Sequence, residues 1–342
     1  MDTTYKEIQD TFNALSKTVK YLDEKWADIE SFIRGKSRFI FVGCGSSYSI
    51  AKSYAAICNM SAGVPASALA AGDILIHASR YKKMISGAAV VFISRSGRTS
   101  EILKALDALL EQNISFSVLS LIAAEDTPLA EKSGLVLETP WAYDESVCQT
   151  RCVTNFYFMG AYIFARYTND SAVLDDLKYL AQSGSGFLKQ AENLAKELAS
   201  KPWNKAVVLA DAELEGLAEE GALVFKEVCQ LPANYYHVLD VRHGPIVLIG
   251  QQTLNIVCPG TPGEHALNLL GDIKKKSDFV IAFTDRSDDF PAVTCISFER
   301  PLTHIARGVP FIILCQLIAY EKSKETGADP DKPTGLDPWI AL

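Results

Sequence analysis

The sequence lacks a long apolar segment. Its longest nearly uninterrupted apolar run, Val309 to Tyr320, falls short of the ~20 residues that a membrane-spanning helix requires. The first residues, Met1 to Thr4, do not open a signal peptide, which needs a charged start followed by an apolar stretch. These absences predict a cytoplasmic protein with no membrane partner.

An excess of basic residues is also absent. Lysine and arginine number 33 against 41 aspartates and glutamates, which gives a formal net charge of −8. The basic residues form only short clusters such as Lys274 to Lys276, whereas nucleic-acid phosphates require a broad basic surface. We therefore expect no nucleic-acid partner.

Cysteine and histidine patterns typical of metal sites are missing as well. The eight cysteines form neither a C-x-x-C pair nor the framework of a secreted disulfide protein. The five histidines include no H-x-x-x-H pattern, and Cys148 with Cys152 has no second pair to complete a tetrahedral site. The sequence predicts reduced thiols, mostly in cores, and neither a metal nor a cofactor.

The composition that remains is ordinary for a globular protein, with 48% hydrophobic residues. Short β-rich runs alternate with helical stretches, which is typical of βαβ units and a parallel sheet covered on both faces. The predicted strands span residues 38–42, 66–70, 88–94, 115–122 and 135–139, and then 206–210, 254–258, 279–283 and 294–297.

The order of elements repeats along the chain. Strands that begin at residues 38 and 206, and at 89 and 254, lie at nearly the same spacing, so we predict two tandem copies of one α/β domain. Helices are predicted over residues 147–167, 174–198, 213–228 and 310–324. The predicted organisation is an N-terminal helix over 1–35, a first domain over 36–170, a helical connector over 171–202, a second domain over 203–327 and a tail over 328–342.

Two loops of the first domain suit a polar or anionic ligand, because both follow the carboxyl ends of strands. In Gly43 to Ser47 a dinucleotide fingerprint would need a third glycine where this chain has Tyr48, so NAD binding loses its main support. The loop Ser94 to Thr99 places three hydroxyls and a glycine at a helix N-terminus, which favours a dianionic phosphate. The alternative is that Ser96 or Thr99 merely caps the helix.

The second domain offers different chemistry. Its matching loop, Cys258 to Glu264, has lost the hydroxyl set and contains two prolines and a glutamate, so we predict no phosphate site there. Glu227 ends a predicted helix, where the helix dipole and apolar neighbours would favour a general base, although spacing alone favours a solvated surface glutamate. His243, in a Gly-Pro turn, fits an acid–base group or an ordinary loop residue.

Taken together these segments resemble the sugar isomerase (SIS) family along most of the chain. They are most similar to its double-domain members, such as the isomerase half of glucosamine-6-phosphate synthase and the fructosamine-6-phosphate deglycases. Gly43 to Ser47 resembles the family's G-C-G-S/T-S loop, and Ser94 to Thr99 its S-x-S-G-x-T phosphate loop. Glu220 to Glu227, with His243 to Pro245 after it, resembles the signature E-G-A-L-x-x-K-E…H-G-P.

The resemblance implies two flavodoxin-like three-layer α/β/α domains, each with a five-stranded parallel sheet. It implies that Glu227 moves a proton between C1 and C2 of a sugar phosphate, and that His243 helps to open the sugar ring. Because that histidine comes from the neighbouring subunit in relatives, a homodimer is expected. The residues implied to bind phosphate are Ser46, Ser47, Ser94, Ser96 and Thr99. Weaker substrate contacts are predicted for Gly45, Arg95, Gly97, Arg98 and Arg151, the arginines from their charge and position alone.

Departures from the synthase determine the expected reaction. Because Met1 and Asp2 lead directly into the predicted first helix, glutamine is not the expected nitrogen source, and the synthase's Schiff-base lysine falls on Pro338. Lys332 is the only lysine in the tail. A ketosamine 6-phosphate already carries nitrogen and would not need that lysine, and the segment Asp144 to Arg151 resembles the deglycase branch.

The expected reaction converts such a ketosamine to an aldose 6-phosphate and a free amine. Arg151 or Arg98 would bind a carboxylate on the amine portion. Plain aldose–ketose isomerisation uses the same proton transfer and stays open. A phosphosugar sensor also stays open, although the 35 residues before the first strand leave little room for a helix-turn-helix.

Overall fold

The computed structural model describes residues 2–260, 263–287 and 293–337. The chain divides into two compact units, each built around one parallel sheet of five strands. The first unit is formed by residues 10–145, 151–182 and 337, and the second by 2–9, 146–150 and the described part of 183–336. The predicted fold class, two tandem α/β domains with five-stranded parallel sheets, is confirmed.

The strands and helices follow one another as in a repeated βα pattern. The strands are β1 (Phe39–Gly43), β2 (Ala66–Ala70), β3 (Ala89–Ser94), β4 (Ser117–Ile122), β5 (Leu135–Glu138), β6 (Lys205–Ala210), β7 (Ala233–His237), β8 (Thr253–Cys258), β9 (Val280–Phe283) and β10 (Thr294–Ile296). The helices are α1 (Thr3–Gln9), α2 (Thr11–Glu24), α3 (Trp26–Ile33), α4 (Ser46–Ile57), α5 (Ala71–Ile85), α6 (Ser100–Leu110), α7 (Pro128–Glu131), α8 (Arg151–Thr168), α9 (Ser171–Ser183), α10 (Ser185–Ala199), α11 (Glu215–Val228), α12 (Glu264–Lys274) and α13 (His304–Thr326).

The two sheets have the orders β2-β1-β3-β4-β5 and β10-β9-β8-β6-β7. The central strands β1, β3 and β8 are buried at every position, as expected for parallel strands covered on both faces. Every predicted strand is found within two residues of its expected ends. The sequence analysis missed β7, an edge strand whose residues after Ala233 are at least partly exposed.

Three helix predictions need correction. The single leading helix is three helices, of which α1 belongs to the second unit and α2 and α3 to the first. The predicted helix 174–198 is two helices, α9 and α10. The last helix begins at His304 instead of Pro310, and Pro310 lies inside it. Proline is unfavourable there, but burial of residues 308–320 on all sides outweighs the lost hydrogen bond.

Close packing in the first unit depends on a glycine of α8. A Cβ atom on Gly160 would lie 2.1 Å from the ring of Tyr54, which is fully buried. The Tyr54 hydroxyl donates to the carbonyl oxygen of Phe156 and accepts from the N–H of Gly160 at 3.0 Å. This contact fixes α8 against α4, and through α4 the loop that follows β1.

The tail of the second unit is tied to the start of the chain. Oδ2 of Asp331 accepts from the N–H of Thr3 at 2.8 Å, and Oδ1 accepts from the N–H and the hydroxyl of Thr4, both at 2.7 Å. Burial by itself would raise the pKa of Asp331, but these hydrogen bonds outweigh it and hold the pKa below its usual range. The carboxylate thus caps the unsatisfied donors at the start of α1.

Replacing Asp331 by Asn is expected to lower the free energy of unfolding at pH 7 by about 1–2 kcal/mol, because an amide accepts these bonds less well than a carboxylate. The pKa of Asp331 is lower in the folded state than in the unfolded state. Its contribution to the free energy of unfolding is therefore complete above the unfolded-state pKa of about 3.9 and is lost as the pH falls through the folded-state pKa. Urea denaturation at pH 7 and at pH 3 would therefore show a difference between wild type and variant that shrinks in acid. Asp278→Asn, at an exposed carboxyl, is the control. A difference that stays constant with pH would contradict the assignment.

No helix in the described part of the chain combines the length and the apolar character needed to cross a membrane.

Candidate functional site

Two loops lie side by side at the carboxyl edge of the first sheet. They follow the neighbouring strands β1 and β3, and β2 lies on the other side of β1, so the direction of strand addition reverses between them. Ligands of open parallel sheets bind at such a reversal. Both loops that the sequence singles out, Gly43 to Ser47 and Ser94 to Thr99, therefore reach the position where this fold places ligands.

The first loop turns too tightly for larger residues at its glycines. A Cβ atom on Gly43 would lie 2.4 Å from the main chain of Ser47, and Gly45 has a φ of +52°, which side chains disfavour. Ser46 and Ser47 begin α4 and are 5% and 4% exposed. Their hydroxyls are therefore buried at a helix N-terminus, where main-chain N–H groups favour an anion.

The hydroxyls of the second loop organise its main chain. The Ser94 oxygen accepts from the N–H of Gly97 at 3.0 Å, and the Ser96 oxygen accepts from the N–H of Arg98 at 3.2 Å. A hydroxyl that accepts a hydrogen bond still has its own O–H to donate. Thr99 occupies the N-cap position of α6, but its side chain makes no capping hydrogen bond within the described chain. Thr99 therefore does not cap α6 through its side chain.

The neighbouring strand anchors this loop. The carbonyl oxygen of Arg95 accepts from the N–H groups of Ala123 and Ala124 at 3.2 and 3.1 Å. Gly97 has a φ of +61°, and a Cβ atom there would lie 2.4 Å from Oγ1 of Thr127. The loop is thus positioned by β4 and the turn after it, which preorganises the donors for a ligand.

Charged groups border the two loops. Arg95 is buried, whereas Arg98 is exposed and donates to the carbonyl oxygen of Asp126 at 2.8 Å. Sequence reasoning missed Glu101, in the first turn of α6; its Oε2 is buried and accepts no hydrogen bond from the described residues.

Burial raises the pKa of the Cys44 thiol to about 12, and the Glu101 charge adds to the rise. Cys44 is therefore a neutral thiol at physiological pH.

Arg151 has a different environment. Its guanidinium lies 2.7 Å from Oδ2 of Asp10 and 3.6 Å from Oδ1 of Asp144, and it donates to the carbonyl oxygen of Tyr143. These contacts anchor the start of α8 to the preceding segment. They occupy the guanidinium of Arg151, whereas that of Arg98 is exposed and donates to one main-chain carbonyl oxygen.

The second unit contains Glu227 and His243. Glu227 is half-buried in the last turn of α11, whose apolar face packs on α13 and the second sheet. His243 follows a 3-10 turn at Asp240–Arg242, is exposed, and donates its main-chain N–H to the carbonyl oxygen of Asp240 at 2.8 Å. The signature residues are thus presented by a rigid helix and by a short turn.

Arg242 fixes the turn that carries His243. Its guanidinium donates twice to Oδ2 of Asp272 on α12, at 2.8 and 3.2 Å, and holds the pKa of Asp272 below its usual range. Apolar side chains around the turn face solvent, with Leu239, Val247 and Leu248 being 38%, 77% and 47% exposed. The surface next to His243 is therefore unusually apolar.

The carboxyl edge of the second sheet differs from that of the first. Asp211 follows β6 and accepts from the N–H of Gly260 at 3.1 Å, and His304 lies against the same carboxylate. A carboxylate thus stands at this edge of the second sheet, where the first sheet has hydroxyls. Thr261 and Pro262, in the loop named there, lie outside the described residues, as does Pro338 in the tail.

The structure therefore brings the five predicted phosphate-binding residues to one edge of the first unit. It places both signature residues, Glu227 and His243, in the second unit.

Comparisons with known proteins agree with this architecture. Residues 32–165 match the family model of the SIS domain. The chain is 25% identical to glutamine–fructose-6-phosphate aminotransferase (isomerizing) of Pyrobaculum aerophilum, in an alignment that covers 98% of this chain and 57% of that protein. The chain thus spans little more than half the length of this relative.

Solved structures show the same fold. The crystal structure of tagatose-6-phosphate ketose/aldose isomerase from Escherichia coli is 21% identical, covers 100% of this chain and 96% of its own, and superposes with a TM-score of 0.86. Glucosamine-6-phosphate deaminase from Thermotoga maritima is 22% identical over 100% of both chains, with a TM-score of 0.79. At these identities the likeness establishes the fold alone.

Proposed function

The chain carries an SIS domain over residues 32–165, and from this premise we propose that it converts a ketosamine 6-phosphate to an aldose 6-phosphate and an amine. The observation that carries the proposal is the group of buried hydroxyls at the carboxyl edge of the first sheet. Ser46, Ser47, Ser94 and Ser96 are each at most 6% exposed beside helix N-termini, and Thr99 adjoins them. Such a set of donors favours a dianionic phosphate.

We assign the proton transfer to Glu227. Its carboxylate takes a proton from C1 of the open-chain ketosamine while the C2 carbonyl oxygen gains one, which gives an enaminol. A proton returned to C2 then gives an imine, and water hydrolyses the C=N bond to release the amine. The two carbons exchange oxidation levels, so the reaction needs no external oxidant.

Ring opening is assigned to His243, from the partner subunit of a homodimer. The support for this assignment is that the imidazole is exposed and that Leu239, Val247 and Leu248, close to it in the sequence, are exposed apolar side chains. Exposed apolar patches of this kind mark association surfaces. The turn itself is held by Arg242, so the histidine has a defined position to present.

Two features favour a substrate that already contains nitrogen. Pro338 stands where the resemblance places the synthase's Schiff-base lysine, and proline has no primary amine. Arg98 is exposed next to the phosphate loop, where it suits a substrate with a further acidic group. Ketose–aldose isomerisation is the second candidate, because one of the similar folds belongs to an enzyme of that name and the proton transfer is the same.

The test is to incubate the protein, with EDTA present, with fructose 6-phosphate and separately with a set of fructosamine 6-phosphates. Release of amine together with aldose 6-phosphate is the expected result. Interconversion of ketose and aldose without amine release would instead establish the isomerase. Tight phosphosugar binding with no turnover of any substrate would overturn both enzymatic assignments and leave a sensor.

A further inference from the structure

The carboxyl edge of the second sheet holds a cluster of polar side chains that the proposed function does not use. Asp211 follows β6, Glu213 lies in the 3-10 turn after it, and His304 begins α13. His304 Nε2 lies 3.4 Å from Asp211 Oδ1 and 3.6 Å from Glu213 Oε2. We call these three residues the Asp211 cluster. It occupies the reversal between β6 and β8, the same place that the hydroxyl loops occupy in the first sheet.

Three acceptor atoms of the cluster lack donors. Asp211 Oδ1, Glu213 Oε2 and His304 Nδ1 are all buried and accept no hydrogen bond from the residues that the structure describes. The Glu213 side chain is only 8% exposed. His304 Nε2 also faces the carbonyl oxygen of Asp211 at 3.4 Å, and a ring that carries its hydrogen on Nε2 alone presents Nδ1 as an acceptor. Because buried polar groups are nearly always hydrogen-bonded, this group of acceptors indicates a ligand that donates.

The charges at this edge indicate that the donor is a cation. Arg307, the nearest guanidinium on α13, donates to Asp285 at 3.0 Å and to the carbonyl oxygens of Pro259 and Gly260. Within residues 2–260, 263–287 and 293–337, neither Asp211 nor Glu213 has a lysine or arginine in ion-pair contact, and the basic side chain next to both carboxylates is His304. The same described residues contain no group of three or more His, Cys, Asp or Glu arranged to hold a metal ion. A cation that binds through N–H donors fits these acceptors better.

We propose that the Asp211 cluster binds a small primary ammonium, R–NH3+, which includes the ammonium ion itself. Its three N–H groups match two carboxylate oxygens and one imidazole nitrogen. Gly260 packs closely against the cluster, since a Cβ atom there would lie 2.6 Å from Asp211 Oδ1 and 3.1 Å from Cε1 of His304. Methylammonium is therefore chosen as a small probe. This site does not depend on the proposed deglycase activity.

Thermal unfolding with methylammonium chloride tests the proposal, with tetramethylammonium chloride as the matched cation that has no N–H. At constant ionic strength, methylammonium at about ten times its Kd is expected to raise the melting temperature by about 2–4 °C in a saturable way, and tetramethylammonium is not. Glu213→Gln should abolish the shift. Glu215→Gln, which removes the same charge from an exposed position two residues away, should retain it.

The proposal is overturned if tetramethylammonium gives the same shift, if Glu213→Gln responds like the wild type, or if no saturable shift occurs up to about 100 mM. Should Glu213→Gln fail to fold, calorimetric titration of the wild-type protein with both cations decides. Binding heat with methylammonium but not with tetramethylammonium supports the site. No binding heat with methylammonium overturns the proposal. Ammonium chloride in the same titration shows whether the site takes the bare ion or prefers an alkyl group.

Discussion

Replacing Glu227 by Gln is expected to reduce kcat for amine release by about 10³-fold, because a positioned general base contributes roughly 10²–10⁴-fold to such proton transfers. The amide keeps the size of the side chain but cannot take the C1 proton. Binding of the sugar phosphate should change little, since the phosphate is assigned to hydroxyls of the first unit. Steady-state kinetics, with a direct measurement of phosphosugar binding, would separate the two effects.

The matched control for this variant is Glu215→Gln, an exposed glutamate in the first turn of the same helix. It removes one negative charge from α11 without touching the last turn, so its kcat should equal that of the wild type. If Glu227→Gln keeps more than about a tenth of wild-type kcat, the base lies elsewhere and the assignment fails.

Mixing two inactive variants is expected to restore activity. Glu227→Gln and His243→Gln should each fall below about 1% of wild type, but a dimer that contains one chain of each has one complete site if His243 acts across the interface. After random exchange of subunits about half of the dimers are mixed and each has one good site of two, so activity should recover to about a quarter of wild type. Turnover before and after a cycle of dissociation and reassociation would measure this recovery.

A chain that carries both substitutions provides the control, because mixing it with either single variant rebuilds no complete site. Differently tagged chains, co-purified after mixing, would verify that exchange has occurred. If mixed dimers form and activity stays at the level of the single variants, His243 serves its own chain and the interface assignment is wrong.

The strands were predictable from the sequence because each is a short apolar run ending at glycine, proline or polar residues, and burial on both faces leaves little ambiguity. Strand β7 lacks this signal: its sequence, Ala233 to His237, is half polar, and pairing with β6 makes it a strand. The start of α13 escaped prediction for a related reason. Pro310 indicates a helix boundary locally, but tertiary burial carries the helix through it.

The local geometry of the first-domain loops could be predicted from their motif, whereas contacts between residues far apart in the sequence could not. Ser94, Ser96 and Gly97 form hydrogen bonds within their own loop, so the motif contains most of their geometry. The Asp211 cluster joins residues 93 positions apart, and no local pattern predicts that contact. Arg151 was predictable as a charge near the site, but its partner Asp10 is 141 positions away.

The contact of Gly97 with Thr127 also limits how this loop can evolve. A side chain at position 97 meets two separate obstacles, the threonine across the loop and a positive φ that only glycine adopts easily. A library that varies position 97 alone should return glycine, and shortening Thr127 in the same clones would remove just one of the obstacles. Adaptation to new substrates is therefore expected to bypass this pair and to accumulate at exposed neighbours such as Arg98, where substitutions are independent of one another.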